Sequence, residues 1–163
     1  MSGDLTDIPA SARLAELGLE LPPVAAPVAA YVPALVSAGQ VFTSGQLPFV
    51  AGTLAATGVV GDEITPEQGY DLARTAALNA IAAAASVVGG VDGIRRVVKV
   101  TVFVASTPGF GGQPQVANGA SDLLTAVFGA GGNHVRSAVG VAALPLNSPV
   151  EVELVAETSF DPF

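Results

Sequence analysis

The sequence predicts an α+β fold in which a mixed or antiparallel sheet carries two long helices on one face. Three observations lead to this prediction. Two short strand-like segments are joined by a tight turn, two long helical segments alternate with strands further on, and the last two strands are again adjacent. The predicted order is ββαβαββ, and strands joined by short turns pair antiparallel. At 163 residues the chain has the length of one domain.

Residues 1–27 are predicted to be an appendage, and residues 28–163 the folded domain. Residues 11–18 have the composition of a short helix that ends at Gly18, since a glycine commonly follows the last helical turn. The proline-rich segment that follows, residues 21–27, is predicted to be an extended linker.

Two strands are predicted to begin the domain, over residues 31–37 and 40–44. Ala38-Gly39 between them has the length and composition of a hairpin turn, so the two strands should pair antiparallel. Glycines recur between residues 49 and 62, and we expect a loop there.

The first long helix has clear boundaries in the sequence. Thr65-Pro66-Glu67-Gln68 is a capping box with proline in the first turn, and Gly89-Gly90 ends the helix. Alanines recur at helical spacing at positions 73, 76, 77, 80, 83 and 84. Because small side chains let a helix approach a sheet closely, we expect this alanine face to pack on the sheet.

The second half of the chain repeats the pattern. Residues 96–105 alternate valine with other side chains, which is the period of a strand. A second helix carries apolar residues along one face and ends at Gly129, and the final strands are predicted over residues 136–143 and 150–159. With both helices on one face, the other face of the sheet is bare, and its apolar content predicts burial against copies of the same chain.

Charge and cysteine content disfavour several classes of function. The formal net charge is −8 at pH 7, so most of the surface should repel a polyanion, although Arg95, Arg96 and Lys99 form one basic cluster. The absence of cysteine excludes disulfides, thiolate catalysis and zinc-thiolate sites. Neither a secretory signal nor a membrane span is evident, so we expect a cytoplasmic protein.

Arg136 is the most informative candidate for a functional residue. It opens an apolar strand, and an unpaired buried guanidinium is costly, so it needs an anionic partner. That partner could be a protein carboxylate, since Glu151 and Glu153 share one face of the last strand, or a ligand carboxylate held by two hydrogen bonds. The small residues Ala138 and Gly140 lie on the same strand face as Arg136 and leave room beside it.

His134 is the one histidine in the chain, and no nucleophile or metal ligand is spaced to act with it. We therefore expect no catalytic role for His134 and no metal site. The glycine-rich segment over residues 108–112 follows a strand but matches neither the phosphate-binding loop nor the dinucleotide-binding pattern.

Five segments of the chain, in their order and spacing, resemble the RidA family, also called the YjgF or L-PSP endoribonuclease family, in its longer subgroup. These segments are Tyr31-Val32-Pro33-Ala34, Val41-Phe42-Thr43-Ser44-Gly45-Gln46-Leu47-Pro48, Val98-Lys99-Val100-Thr101-Val102-Phe103-Val104, Arg136-Ser137-Ala138-Val139, and Leu144-Pro145 followed by Val150-Glu151-Val152-Glu153. The resemblance implies a chorismate-mutase-like fold that assembles as a homotrimer around a central barrel, with ligand pockets at the subunit interfaces.

The resemblance also implies an activity. Similar proteins hydrolyse reactive enamines and imines, such as 2-aminoacrylate and 2-iminopropionate, to 2-oxo acids and ammonia, without a cofactor or metal. Arg136 matches the arginine that binds the substrate carboxylate, and Asn118 lies where the family often has a pocket asparagine. Glu151 matches the residue that orients or activates the attacking water, and we expect it to lie across the ladder from Arg136.

The remaining matched positions form the rim of the implied pocket. Ser44 and Gly45 match pocket residues at a strand end, and Tyr31 matches the tyrosine that closes the pocket. The chain departs from the family at Ala138, where many members have cysteine, and at Gly140, where glutamate is common. Two alternatives stay open: a non-enzymatic sensor that binds small carboxylates, and an endoribonuclease or translation inhibitor.

Overall fold

The computed structural model of the protein describes residues 8–24, 26 and 29–160. Part of the predicted appendage, including two residues of the proline-rich linker, lies outside the described residues. Within them the elements are α1 (Ala10–Glu16), β1 (Ala34–Ser37), β2 (Gln40–Thr43), β3 (Phe49–Val50), β4 (Thr53–Leu54), α2 (Pro66–Ala85), β5 (Ile94–Ala105), α3 (Gln113–Phe128), β6 (Val135–Val141) and β7 (Val150–Thr158).

Five of the strands form one mixed sheet in the order β1-β2-β7-β5-β6. β5 and β6 are parallel and are joined by a crossover through α3, whereas the other neighbouring pairs are antiparallel. α2 and α3 pack on each other, and both contact the sheet. These observations confirm the predicted α+β fold.

The long helices form for the reasons that the sequence indicates. The hydroxyl of Thr65 accepts a hydrogen bond from the Gln68 amide at 3.1 Å, and the Gln68 side chain accepts one from the Thr65 amide at 2.8 Å. The predicted alanine face of α2 is buried. On α3, a Cβ atom added at Gly119 would overlap the backbone carbonyl of Tyr70 on α2. The two helices therefore lie closer together than any larger residue at position 119 would allow.

The short N-terminal helix α1 is docked on the domain. Leu14 is buried, and the backbone amide and hydroxyl of Ser11 donate to the Asp92 carboxylate at 2.9 and 2.6 Å. Further along, Leu21 and Val24 pack against the hydrophobic core. The part of the appendage that the structure describes is thus fixed to the sheet-and-helix unit.

The face of the sheet that carries no helix is here called the open face. Val150 and Val152 of β7 are fully buried beneath the helices, so Glu151 and Glu153 point to the open face. Large apolar side chains also lie there with substantial exposure: Leu35 (47%), Phe42 (39%), Val135 (64%) and Val139 (42%). A surface of this kind is typical of a protein interface. No helix among the described residues is long and apolar enough to cross a membrane.

Four local predictions need correction. Helix α2 ends at Ala85, with Ser86 as its C-cap, rather than at Gly89-Gly90. The predicted loop contains the two-stranded β3–β4 hairpin. The first strand begins at Ala34 rather than at Tyr31. In β5 the register shifts between Val97 and Lys99, so Val97 is buried where the simple alternation places Val98. A β-bulge changes which face a side chain occupies without changing the residue types that signal a strand.

Candidate functional site

Arg136 lies on β6, the strand at one edge of the sheet. Its register partner on β5 is the fully buried Val100, so the Arg136 side chain points to the face that the helices cover. There its Nη1 atom donates to Oδ1 of Asn118 at 2.8 Å and to Oγ of Ser121 at 3.1 Å. Both partners lie on α3, three residues apart, and therefore on one face of that helix.

His134 extends this group of side chains. Its Nε2 atom lies 2.9 Å from the Ser121 hydroxyl, and its Nδ1 atom hydrogen-bonds the backbone carbonyl of Gly132. A carbonyl only accepts, so Nδ1 carries the proton, and Nε2 accepts from the Ser121 hydroxyl when the ring is neutral. These hydrogen bonds to Ser121 and Gly132 are not evident from sequence spacing, and the expectation that His134 has no catalytic role stays a prediction. We call Asn118, Ser121, His134 and Arg136 the arginine cluster.

The arginine cluster includes two residues that the sequence does not reveal. Ser121 and His134 are 13 residues apart and lie on different elements, and no short motif links them. The available signal is the spacing of Asn118 and Ser121 on a helix that is otherwise apolar on its buried side. That spacing marks a polar patch but does not identify what it faces.

No carboxylate pairs with Arg136 among the described residues. The one ion pair found there joins Arg95 to Glu157 at 3.3 Å. Neither Nε nor Nη2 of Arg136 has a hydrogen-bond partner in the described part of the chain. Of the two partners that the sequence leaves open, a carboxylate from the described residues of the same chain is thus not found. Two donor groups of a partly buried guanidinium therefore have no partner within this part of the chain.

Three of the other predicted site residues line a cavity of about 620 Å³, and Ser44 lies beside it without lining it. We call it the glutamate cavity; Glu151, Gly45 and Tyr31 contribute to its lining. A Cβ atom at position 45 would overlap the carboxylate of Glu151, so only glycine leaves that carboxylate in its place. The Ser44 hydroxyl donates to the backbone carbonyl of Val32 at 2.7 Å and so ties the segment beside Tyr31 to β2.

Burial raises the pKa of Glu151 above its ordinary value, and the neighbouring negative charge of Glu153 raises it further. A carboxylate that loses solvation in this way is a stronger base than one in water. It is thus suited to take a proton from a water molecule near neutral pH.

The arginine cluster and the glutamate cavity lie apart within one chain. β5 lies between β6 and β7, and Glu151 is level with Val139, three residues beyond Arg136. Two strand spacings and three residues give roughly 14 Å between the two Cα atoms, and the side chains point to opposite faces. The prediction that Glu151 lies across the ladder from Arg136 is therefore wrong for a single chain, because a third strand separates them.

Across residues 8–24, 26 and 29–160, no group of three or more histidine, aspartate and glutamate side chains is placed to hold a metal ion.

Comparisons with known proteins identify the family. Residues 11–158 match the family described as "YjgF/chorismate_mutase-like, putative endoribonuclease". Protein TCP17 of Trypanosoma cruzi is 45% identical over 150 residues, which cover 90% of this chain and 92% of that protein. The crystal structure of Atu1372 from Agrobacterium tumefaciens has 41% identity and a TM-score of 0.84, with 92% of each chain covered.

A more distant relative carries a small molecule in its structure. Escherichia coli TdcF with bound serine has 25% identity and a TM-score of 0.60, and the match covers 83% of this chain and 94% of that one. The family match spans nearly all of the described residues and two of these relatives are similar along most of their length. This chain belongs to the YjgF/chorismate-mutase-like family, which includes RidA.

Proposed function

We propose that the protein hydrolyses imines of 2-oxo acids, together with the enamines that tautomerise to them, to 2-oxo acids and ammonia. The observation that carries this proposal is the Arg136 guanidinium. It is partly buried, it is oriented by Asn118 and Ser121, and it has no carboxylate partner among the described residues. A planar guanidinium with two free donor groups matches the geometry of a carboxylate.

The relative TdcF supports a ligand of this kind. It is described with bound serine, which carries a carboxylate next to a carbon that bears nitrogen. An imine of a 2-oxo acid has the same two groups in the same positions. Binding through the carboxylate would present the carbon–nitrogen bond to a base.

Glu151 is the base that we assign to the reaction. Its carboxylate takes a proton from water as the water oxygen forms a bond to the iminium carbon. Protonated Glu151 then donates that proton to the carbinolamine nitrogen, the hydroxyl proton passes to the carboxylate, and the carbon–nitrogen bond breaks so that ammonia leaves with the bonding electron pair. The 2-oxo acid remains. The iminium carbon is already electrophilic, so holding the carboxylate and activating water accounts for most of what the hydrolysis requires.

The two parts of this site would have to come from two chains, since Arg136 and Glu151 are separated within one. We propose that the protein assembles as a homotrimer in which the arginine cluster of one subunit faces the glutamate cavity of the next. The exposed apolar side chains of the open face support an assembly through that face. Low overall charge, at 12% of residues, is compatible with a large self-interface.

The activity is tested by generating 2-iminopropionate with an amino acid oxidase and following its loss by trapping with semicarbazide. Arg136→Ala should lower kcat/KM roughly 100-fold, because two charge-assisted hydrogen bonds contribute roughly 1.5 kcal/mol each. The kcat/KM of Arg136→Lys should lie between those of wild type and Arg136→Ala, because lysine keeps the charge but loses the two-pronged geometry. Arg74→Ala, on α2, is the control and should behave as wild type. Equal rates for wild type and Arg136→Ala would contradict the proposal.

Mixing variants tests the assembly. Arg136→Ala and Glu151→Gln chains, each strongly impaired alone, should regain activity when they are refolded together. In a random equal mixture, a site with an intact arginine from one chain and an intact glutamate from its neighbour forms roughly one time in four. The control mixture pairs wild type with a chain that carries both substitutions. If each site belonged to one chain, the first mixture would be no more active than the separate variants.

Wild type and Arg136→Ala also distinguish two other functions from imine hydrolysis. Binding of a small carboxylate with no turnover of any imine would indicate a sensor that uses Arg136 as its anchor. RNA cleavage lost in Arg136→Ala would favour the endoribonuclease activity after which the family is named.

A further inference from the structure

The glutamate cavity is larger and more apolar than a three-carbon imine requires. Its volume of about 620 Å³ lies within the range of pockets that enclose drug-sized ligands. Beside Glu151, hydrophobic side chains make up most of its lining, including Pro22, Val24, Tyr31, Phe49 and Leu146. A substrate whose only apolar part is a methyl group would leave most of this surface without a partner.

The walls of the cavity are fixed parts of the domain. Val24 lines it and also packs against the hydrophobic core, which holds this side of the appendage in place. On the β3 side, the amide of Asn79 donates to the carbonyl oxygens of Leu47 and Phe49 at 2.9 and 3.0 Å. Two separate segments of the chain therefore form the walls of the cavity, and contacts with the rest of the domain hold both segments in place.

Leu146 is a second and independent observation. It lines the cavity, is 67% exposed, and has a φ of 58° and a ψ of 21°, in the left-handed region. A bulky residue is disfavoured there, whereas asparagine or glycine is accepted readily. An exposed leucine also contributes little burial to folding. A leucine with this backbone conformation and this exposure does not stabilise the fold. We therefore expect its side chain to contact another molecule.

We infer that the glutamate cavity holds the apolar side chain of the substrate, so that the preferred substrates are imines of large hydrophobic amino acids. The inference rests on the proposed function. The carboxylate lies at Arg136 of a neighbouring subunit, the carbon–nitrogen bond lies at Glu151, and the side chain extends between Phe49, Leu146 and Pro22. Each methylene enclosed by such a wall increases the preference over a shorter analogue.

The test compares the imines made from leucine and from alanine. Wild type should have at least about tenfold higher kcat/KM for the leucine imine, since three further carbon atoms are enclosed. Leu146→Asn should reduce this ratio at least about fivefold while its melting temperature stays equal or rises, because asparagine relieves the left-handed conformation. Val50→Asn is the matched control, because Val50 is an exposed apolar residue of β3 outside the cavity lining.

Each result of this comparison either supports or contradicts the inferred role of the glutamate cavity. A wild-type preference for the alanine imine, or an unchanged ratio in Leu146→Asn, would overturn the inference while leaving the proposed function intact. Dissociation of the assembly in Leu146→Asn would also overturn it, since Leu146 would then contact a second copy. If neither imine is hydrolysed, the proposed function fails, and binding is compared instead. Tighter calorimetric binding of 4-methyl-2-oxopentanoate than of pyruvate would then support the apolar cavity, and equal binding would refute it.

Discussion

Replacing Ser121 with alanine removes one of the two oxygen atoms that hold the Arg136 guanidinium. The lost hydrogen bond is 3.1 Å long and comes from a charged donor, a class that contributes roughly 1.5–3 kcal/mol. Arg136 is only partly buried, and its Nη1 atom keeps Asn118 as an acceptor at 2.8 Å, so we expect the effect to be about 1 kcal/mol. This corresponds to roughly a fivefold loss of kcat/KM.

The loss should appear in KM more than in kcat, because Ser121 positions the group that binds the carboxylate and does not touch the reacting bond. The assay is the imine hydrolysis described above, measured over a full range of substrate concentrations. Asn118→Ala should have an effect of similar size. The double variant should lose more than the product of the two, because the guanidinium then has neither acceptor.

The matched control is Thr125→Ala, an exposed position one helical turn further along α3. It reports any general effect of alanine on that helix, and it should leave KM unchanged. An unaltered KM in Ser121→Ala, or an equal change in Thr125→Ala, would show that the hydrogen bond to Arg136 does not position the guanidinium.

Three further predictions concern Glu151, the contact between the helices, and the start of α2. The pKa of Glu151 is raised, and Glu151 acts only when ionised, so kcat/KM should fall with decreasing pH at a higher pH than an ordinary glutamate would give; Glu151→Gln should lack this limb. Gly119→Ala should lower stability by about 3 kcal/mol in calorimetry because its Cβ would overlap the Tyr70 carbonyl, whereas Gly111→Ala, with open space around it, should be nearly neutral. Thr65→Ala should cost about 1 kcal/mol in chemical denaturation, since it removes the cap of α2.

The sequence predicts the helices and strands well where the signal is local. The capping box at Thr65 and the alanine spacing of α2 depend on residues a few positions apart, and both are confirmed. The bulge near Val97 and the β3–β4 hairpin are not evident, because neither changes the local composition of its segment. Non-local geometry decides those details.

The site residues show the same difference between local sequence signals and non-local geometry. Alternation along a strand correctly places Arg136 with Ala138 and Gly140 on one face, and Glu151 with Glu153 on one face. It does not tell which face of the sheet each set occupies, or that β5 lies between their strands. The partnership of Ser121 with His134 likewise depends on how α3 lies over β6, which no spacing in the sequence expresses.

The close contact at Gly119 has a consequence for how this protein can change during evolution. Gly119 lies between Asn118 and Ser121 on α3. The distance between α2 and α3 therefore determines where the side-chain oxygen atoms of Asn118 and Ser121 lie relative to the Arg136 guanidinium. A larger residue on the surface of α2 that contacts α3 would displace α3. It would thereby weaken ligand binding at Arg136 without contacting the ligand. New specificities should therefore arise more readily through the walls of the glutamate cavity, which can vary independently, than through the helix pair that supports Arg136.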